Sequence, residues 1–169
     1  TGHRDLVPRE VQGIEEAVRE FLIDLASQFP DRPLRVMSPL AEGADRIVAR
    51  VAESLGIDLA VPLPMPEDLY VQDFESRQSW AEFGRLNDYA VERTELPLVP
   101  GETYESISEY GDARSRQYAE VGAYIAERSD ILIAVWDGKT VDQLGGTGDV
   151  VSFRREGEMP GDVPHTAGT

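Results

Sequence analysis

Four short stretches of this chain carry residue types suited to holding a small anion or a sugar. They are Gly2-His3-Arg4, Ser38 to Asp45, Pro62-Leu63-Pro64, and the pair Trp136-Asp137-Gly138 with Gly145-Gly146-Thr147-Gly148. A glycine-rich turn that opens a helix leaves backbone amides to point at a phosphate, and the helix dipole adds to the attraction. Glycine suits such a turn because a Cβ would block close approach of the backbone to a ligand. Fifteen of the sixteen cations are arginine, with Lys139 the single lysine, so side-chain anion recognition would use guanidinium forks. Arg4 or Arg114 is the candidate, able to add a bidentate contact. Asp137 could accept from ribose hydroxyls, while Trp136 and Tyr70 could stack on a base or simply pack in the core. Glu42 and Asp45 lie near a helix start, where an acid serves equally as a dipole partner. His3 and His165 are the only histidines, too few for a multi-histidine metal cluster, whereas a carboxylate Mg²⁺ site at Asp137 or Asp149 stays open. The absence of cysteine removes thiolate metal sites, thiol nucleophiles and disulfides. There is no Walker A lysine pattern, and no Gly-x-Gly-x-x-Gly follows the first strand, which disfavours a kinase, a GTPase or an ordinary NAD dehydrogenase.

The elements that must position these residues read as an α/β pattern. Val11, Ile14, Val18, Phe21, Leu22 and Leu25 share one face of a first helix, stopped by Phe29-Pro30 and Pro33. A strand over 34–38 leads into a second helix, with Ile47, Val48, Val51, Ala52 and Leu55 inward and Gly56 as its stop. A buried strand over 59–63 completes a strand, helix, strand unit, which predicts parallel pairing. Leu69, Tyr70, Phe74, Trp80, Phe83, Leu86 and Tyr89 point to one or two helices packed on the body, and 100–112 reads as a solvated loop or lid. A helix over 113–128 turns Tyr118, Val121 and Ile125 inward. The continuous apolar run of 130–136 predicts a central strand buried on both faces. The turn at 144–148 enters a short helix with Val150, Val151 and Phe153, and 159–169 reads as a frayed tail. The expected fold is an α/β open, mainly parallel sheet with helices on both faces. A glycine turn at residue 2 belongs after a strand and the last helix before one. Either the first and last strands are missing from the sequence, or the sheet is smaller than this pattern usually builds.

Charge narrows the choice of ligand. With 32 acids against 16 cations the net charge is −16, which opposes a nucleic-acid polymer partner. Apolar residues make up 41%, enough for a core and too many for a disordered acidic tail. The length suggests one domain over 1–169. Residues 66–112 hold twelve acids and three arginines and read as an acidic helical and loop insertion. No apolar run reaches the ~18 residues of a membrane span, so a cytoplasmic protein without a membrane partner is expected.

The motifs taken in order resemble the SLOG superfamily, named for the Smf/DprA and LOG proteins. The resembling stretches are Thr1-Gly2-His3-Arg4, Gly43-Ala44-Asp45-Arg46-Ile47-Val48-Ala49, the Arg114/Arg116 helix, Asp130 to Gly138, and Gly145-Gly146-Thr147-Gly148. The pattern is closest to uncharacterised bacterial members with a Gly-His-Arg start. The resemblance implies a Rossmann-like module for a nucleotide or a nucleotide-derived signal such as an ADP-ribose-like molecule. Members sometimes serve as sensor modules joined to effector domains, so a fused or associated effector is one partner the resemblance allows; a homo-oligomer is the other partner considered. Gly2, His3, Arg4, Ser38, Gly43, Asp45, Arg114, Arg116, Asp137, Gly145, Gly146, Thr147 and Gly148 are the binding candidates. LOG phosphoribohydrolases split base from nucleoside monophosphate with Gly-Gly-x-Gly-Thr-x-x-Glu. Here Asp149 stands at the Thr position and Ser152 at the Glu position, so the hydrolytic carboxylate is absent from its place. Glu42 and Asp149 are the substitute catalytic candidates. A sensor is thus preferred over a hydrolase, with a protein-interaction domain as the third class.

Overall fold

A computed structural model describes residues 1–139 and 144–157. The frayed-tail expectation for 159–169, and His165 with it, lies outside the described residues. In chain order the elements are α1 (Val11–Gln28), β1 (Arg35–Met37), α2 (Ala44–Ser54), β2 (Asp58–Leu63), α3 (Glu67–Tyr70), α4 (Arg77–Tyr89), β3 (Glu92–Glu95), α5 (Tyr104–Ser108), α6 (Asp112–Arg128) and α7 (Thr147–Glu156). A 3₁₀ turn, Val71–Asp73, follows α3. The fold is mixed α/β with a three-stranded parallel sheet in the order β1-β2-β3.

The expected strand, helix, strand unit is present. β1 and β2 pair in parallel with Val36 opposite Leu59. On the other side of β2, Val91 N–H donates to Leu59 O at 2.9 Å and Leu96 N–H to Leu63 O at 3.0 Å. β3 escaped the sequence reading because Glu92, Arg93 and Glu95 are exposed. An edge strand with solvated faces needs no apolar alternation and is often charged.

The chain forms two compact units. The first comprises Gly2–Val61 and Phe74–Thr94; the second comprises Thr1, Pro62–Asp73 and the chain from Glu95. In the first, α2 lies against α1, α4 and β1. Its core draws Val18 and Leu22 from α1, Ile47, Val51 and Ala52 from α2, Leu59 and Val61 from β2, and Phe83 and Leu86 from α4. Phe21, expected inward, is 41% exposed, because the apolar stripe of α1 is wider than the face its neighbours cover. In the second unit α7 packs on α6, with Ala119, Ala123, Ala126, Val150 and Phe153 as a shared apolar cluster.

Two expectations need correction in the second unit. Residues 130–136 are not a strand: Ile131 is 48% exposed, and the segment's backbone bonds within the unit run to Thr1, from its amine to Ile133 O at 2.9 Å and from Val135 N–H to its carbonyl at 3.0 Å. An apolar run encodes a demand for cover, but a strand exists only where neighbouring backbone supplies partners along its length. Nor is 100–112 only a loop. It contains α5, whose Ile107 is fully buried and whose N-terminus is closed by a reciprocal Thr103 and Ser106 capping box. One buried residue in five leaves no periodicity to read, and serine replaces the Glu or Gln of the usual box.

Candidate functional site

In the first unit, the chain leaves β1 at Met37 and turns through 38–43 into α2. This loop stands at the carboxyl end of a parallel strand, where ligands of open α/β sheets bind. Ser38 is buried; its Oγ accepts the Leu40 N–H at 3.1 Å and donates to Asp45 O at 3.3 Å. Leu40 is fully buried with φ of 59°, a left-handed backbone that costs a residue with a Cβ about 1–3 kcal/mol. The surroundings hold it there, because Arg46 Nε donates to the Leu40 carbonyl at 3.0 Å. Gly43, φ 83°, is needed for close approach: a Cβ would fall 2.5 Å from His3 O and nearer still to Arg4 O. The Ala44 N–H donates to His3 O at 3.1 Å, so the chain's own backbone takes up an amide at the start of α2. His3, Arg4, Ser38, Glu42, Gly43 and Asp45 of the predicted set therefore meet here, with Gly2 adjoining. Burial pushes the Asp45 carboxyl above its ordinary range, against the pull of nearby positive charge that includes Arg4.

A cleft of about 390 Å³ opens beside this loop, bordered by Arg4, Asp5, Glu42, Gly43, Arg46 and Arg50 on one side. Glu75, Ser76, Ser79 and Glu82, at and before α4, border the other. Arg46 is 2% exposed. Its Nη1 donates to Ser79 O at 2.8 Å and Ser79 Oγ at 2.6 Å, and its guanidinium carbon lies 4.4 Å from the Phe74 ring centre. Its Nη2 is enclosed without a hydrogen-bond partner, a state that costs about 1–3 kcal/mol or more for a charged group. Arg50 pairs with Glu82 at 2.9 Å. Glu42 Oε1 accepts from the Glu75 N–H at 3.1 Å and from the Ser79 hydroxyl. Cations and carboxylates thus both border the cleft, a composition suited to a ligand that carries both an anionic group and hydrogen-bond donors. Sequence reasoning missed Ser79, Glu82 and Arg50. Arg46 and Arg50 stand four apart on one helix face, and that spacing was the available signal.

The remaining predicted residues lie in the second unit, most of them bonded to or packed on other protein groups. Arg114 is 3% exposed in α6 and donates to both oxygens of buried Asp73 (Nη2–Oδ1 2.8 Å, Nε–Oδ2 3.3 Å), to Leu69 O at 2.9 Å and to Ile107 O at 2.7 Å. Tyr118 OH also donates to Asp73. Arg116 donates to Glu102 at 2.9 Å; hydrogen bonds from Ser106 and then Arg116 hold the Glu102 carboxyl below its ordinary range. Tyr70 is fully buried with its ring 6.2 Å from that of Tyr118. Asp137 accepts from the Lys139 N–H and pairs with its ammonium, both at 3.0 Å. The glycine turn does open a helix: Gly146 caps α7, and Thr147 and Gly148 are buried in its first turn. Gly145, φ 78°, lies where a Cβ would meet Ala119 N at 2.6 Å, so packing on α6 alone accounts for glycine. Its N–H donates to Asp149 Oδ2 at 3.0 Å, which places a carboxylate on one of the amides expected to face phosphate.

Among the described residues, no group of three or more His, Asp or Glu side chains converges as a metal ion would require. No described helix is long and apolar enough to cross a membrane. No protein-family model matches this chain, and no curated protein sequence matches it.

Proposed function

We propose that the chain binds a nucleotide or nucleotide-derived small molecule, with the phosphate in the first unit's cleft beside the start of α2. The observation that carries this reading is the cleft itself. It stands at the carboxyl end of β1, next to a loop held in a strained backbone at Leu40, and it is bordered by three arginines, one with an enclosed nitrogen that lacks an acceptor. Strained backbone concentrates at binding sites, where surrounding contacts hold it. Arg4, Arg46 and Arg50 supply charge for phosphate, while Asp5 and Glu75 supply acceptors for ribose hydroxyls or a base amino group. The order of motifs that resembles the SLOG superfamily supports a Rossmann-like nucleotide module, and the acidity elsewhere on the chain favours a small ligand over a polyanion.

Ligand binding to the native state raises the melting temperature by mass action. A thermal-shift screen with AMP, ADP-ribose, NAD and cyclic nucleotides should therefore give at least one positive shift, reduced by Arg50→Gln. No shift with any of them refutes the reading in favour of a protein-interaction domain. The second reading, N-glycosidic hydrolysis, draws on Glu42 bordering the same cleft. Free base released from AMP and lost in Glu42→Gln or Asp149→Asn would establish it.

A further inference from the structure

We propose that the Glu42 carboxylate occupies the place of a ligand's terminal phosphate, so that binding displaces it. The inference rests on the reading that this cleft takes a phosphate-bearing ligand. Glu42 Oε1 accepts from the Glu75 N–H at 3.1 Å and from the Ser79 hydroxyl, and Arg46 Nη1 in turn donates to Ser79 Oγ at 2.6 Å. An amide just ahead of a helix, a hydroxyl and a guanidinium are the donor types that hold phosphate oxygens. Arg46, 2% exposed, itself pairs through Nη1 with Glu82 at 3.4 Å, and its Nη2 has no acceptor. A carboxylate has two oxygens in one plane. A terminal phosphate presents three around a tetrahedron and so can serve the amide and the hydroxyl with an oxygen to spare for a guanidinium at the cleft border.

The loop that carries Glu42 is already set. Ser38 and Arg46 clamp the backbone of Leu40, and the His3 carbonyl binds the first amide of α2. Only the Glu42 side chain needs to swing away. Its charge also sets a threshold. The cleft border holds Arg4, Arg46 and Arg50 against Asp5, Glu42, Glu75 and Glu82, so a ligand must outcompete one anion in the presence of three others. A phosphomonoester, close to dianionic at pH 7, competes better than a singly charged phosphodiester. The ligand class is therefore a nucleotide with a terminal phosphate, preferred over a cyclic one.

The test is calorimetric titration of the wild-type chain, Glu42→Gln and Glu42→Ala with inorganic phosphate, AMP and cyclic AMP at low ionic strength. Glu42→Gln keeps the side-chain shape and guards against a folding defect in Glu42→Ala, with circular dichroism confirming both folds. Removing one like charge from a part-exposed cleft should tighten AMP and phosphate binding about tenfold. The gain should shrink in salt, and the wild type should prefer AMP to cyclic AMP. Wild type that binds AMP while both variants bind it equally or more weakly overturns the displacement and leaves the nucleotide reading intact. Absence of AMP and phosphate binding in all three proteins removes the displacement, and the nucleotide reading falls with it where ADP-ribose, NAD and cyclic nucleotides also give no thermal shift.

Discussion

Replacing Asp73 by Ala should cost the second unit about 3–5 kcal/mol, the usual penalty for stranding one member of a buried ion pair. The structure supplies each contribution. Arg114 and Asp73 side chains are 3% and 2% exposed, so water cannot take over the lost contacts. The carboxylate accepts two bonds from the guanidinium and one from Tyr118, and its loss leaves those donors facing a single methyl group. A hydrogen bond to a charged group contributes about 1.5–3 kcal/mol, so three that share one carboxylate account for at least the upper part of that range. The other Arg114 bonds, to Leu69 O and Ile107 O, join α3 and α5 to α6 and should hold the charge in place rather than let it escape to solvent. Urea unfolding read from Trp136 fluorescence in a Trp80→Phe background reports on this unit, since Trp80 belongs to the first. Adding Arg114→Met should recover much of the loss, because the stranded charge departs, giving a coupling of about 2–3 kcal/mol in the double-mutant cycle. An Asp73→Ala penalty below about 1 kcal/mol, or additivity in the cycle, would refute a structural role. Arg114→Met that abolished nucleotide binding at unchanged stability would return Arg114 to the ligand contacts.

Three further outcomes follow from local geometry. Gly145→Ala should destabilise by about 2 kcal/mol or more by thermal denaturation, because φ is 78° and the new methyl meets the α6 backbone. Gly13→Ala is the contrasting case: Gly13 lies inside α1 with open space around its missing Cβ, so alanine should stabilise by about 0.5–1 kcal/mol. Asp45 titrates at higher pH in the folded chain than unfolded, so its ionisation works against folding. Its contribution is fully present below the ordinary aspartate value of 3.8 and is lost as pH rises through the folded value. Asp45→Asn should therefore be more stable than wild type at neutral pH in denaturant melts, with the difference vanishing below pH 3.8; a difference independent of pH would contradict the assignment.

The candidate site was partly legible because glycine spacing and helix starts are local properties. Gly43 and Gly145 both lie where chain approaches chain, and Gly146 does open a helix. What those glycines approach was not legible. His3 and Arg4 carbonyls meet Gly43, and the α6 backbone meets Gly145, so in both places the chain itself fills space that a sequence reading assigns to a ligand. Arg114 and Arg116 were read as anion contacts from residue type alone, and their partners Asp73 and Glu102 come from 41 and 14 residues away. The cleft beside α2 depends on Ser79 and Glu82, which no motif marks.

By itself the sequence determined the helices with strong periodicity, the parallel pairing of β1 with β2 that a strand, helix, strand order demands, and the acidity that opposes a polyanion. These follow from near-neighbour sterics, amphipathic period and net charge, none of which needs a distant partner. The tertiary structure decided that 130–136 does not run as a strand, that the charged segment 92–95 does, and that Arg114 belongs to a buried ion pair. It also decided that Arg46 ends with one nitrogen lacking an acceptor beside a polar cleft. Each of these depends on which backbone or side chain arrives from far along the chain. Hydrogen bonding and burial are satisfied in pairs, and one-dimensional order specifies only one member of each.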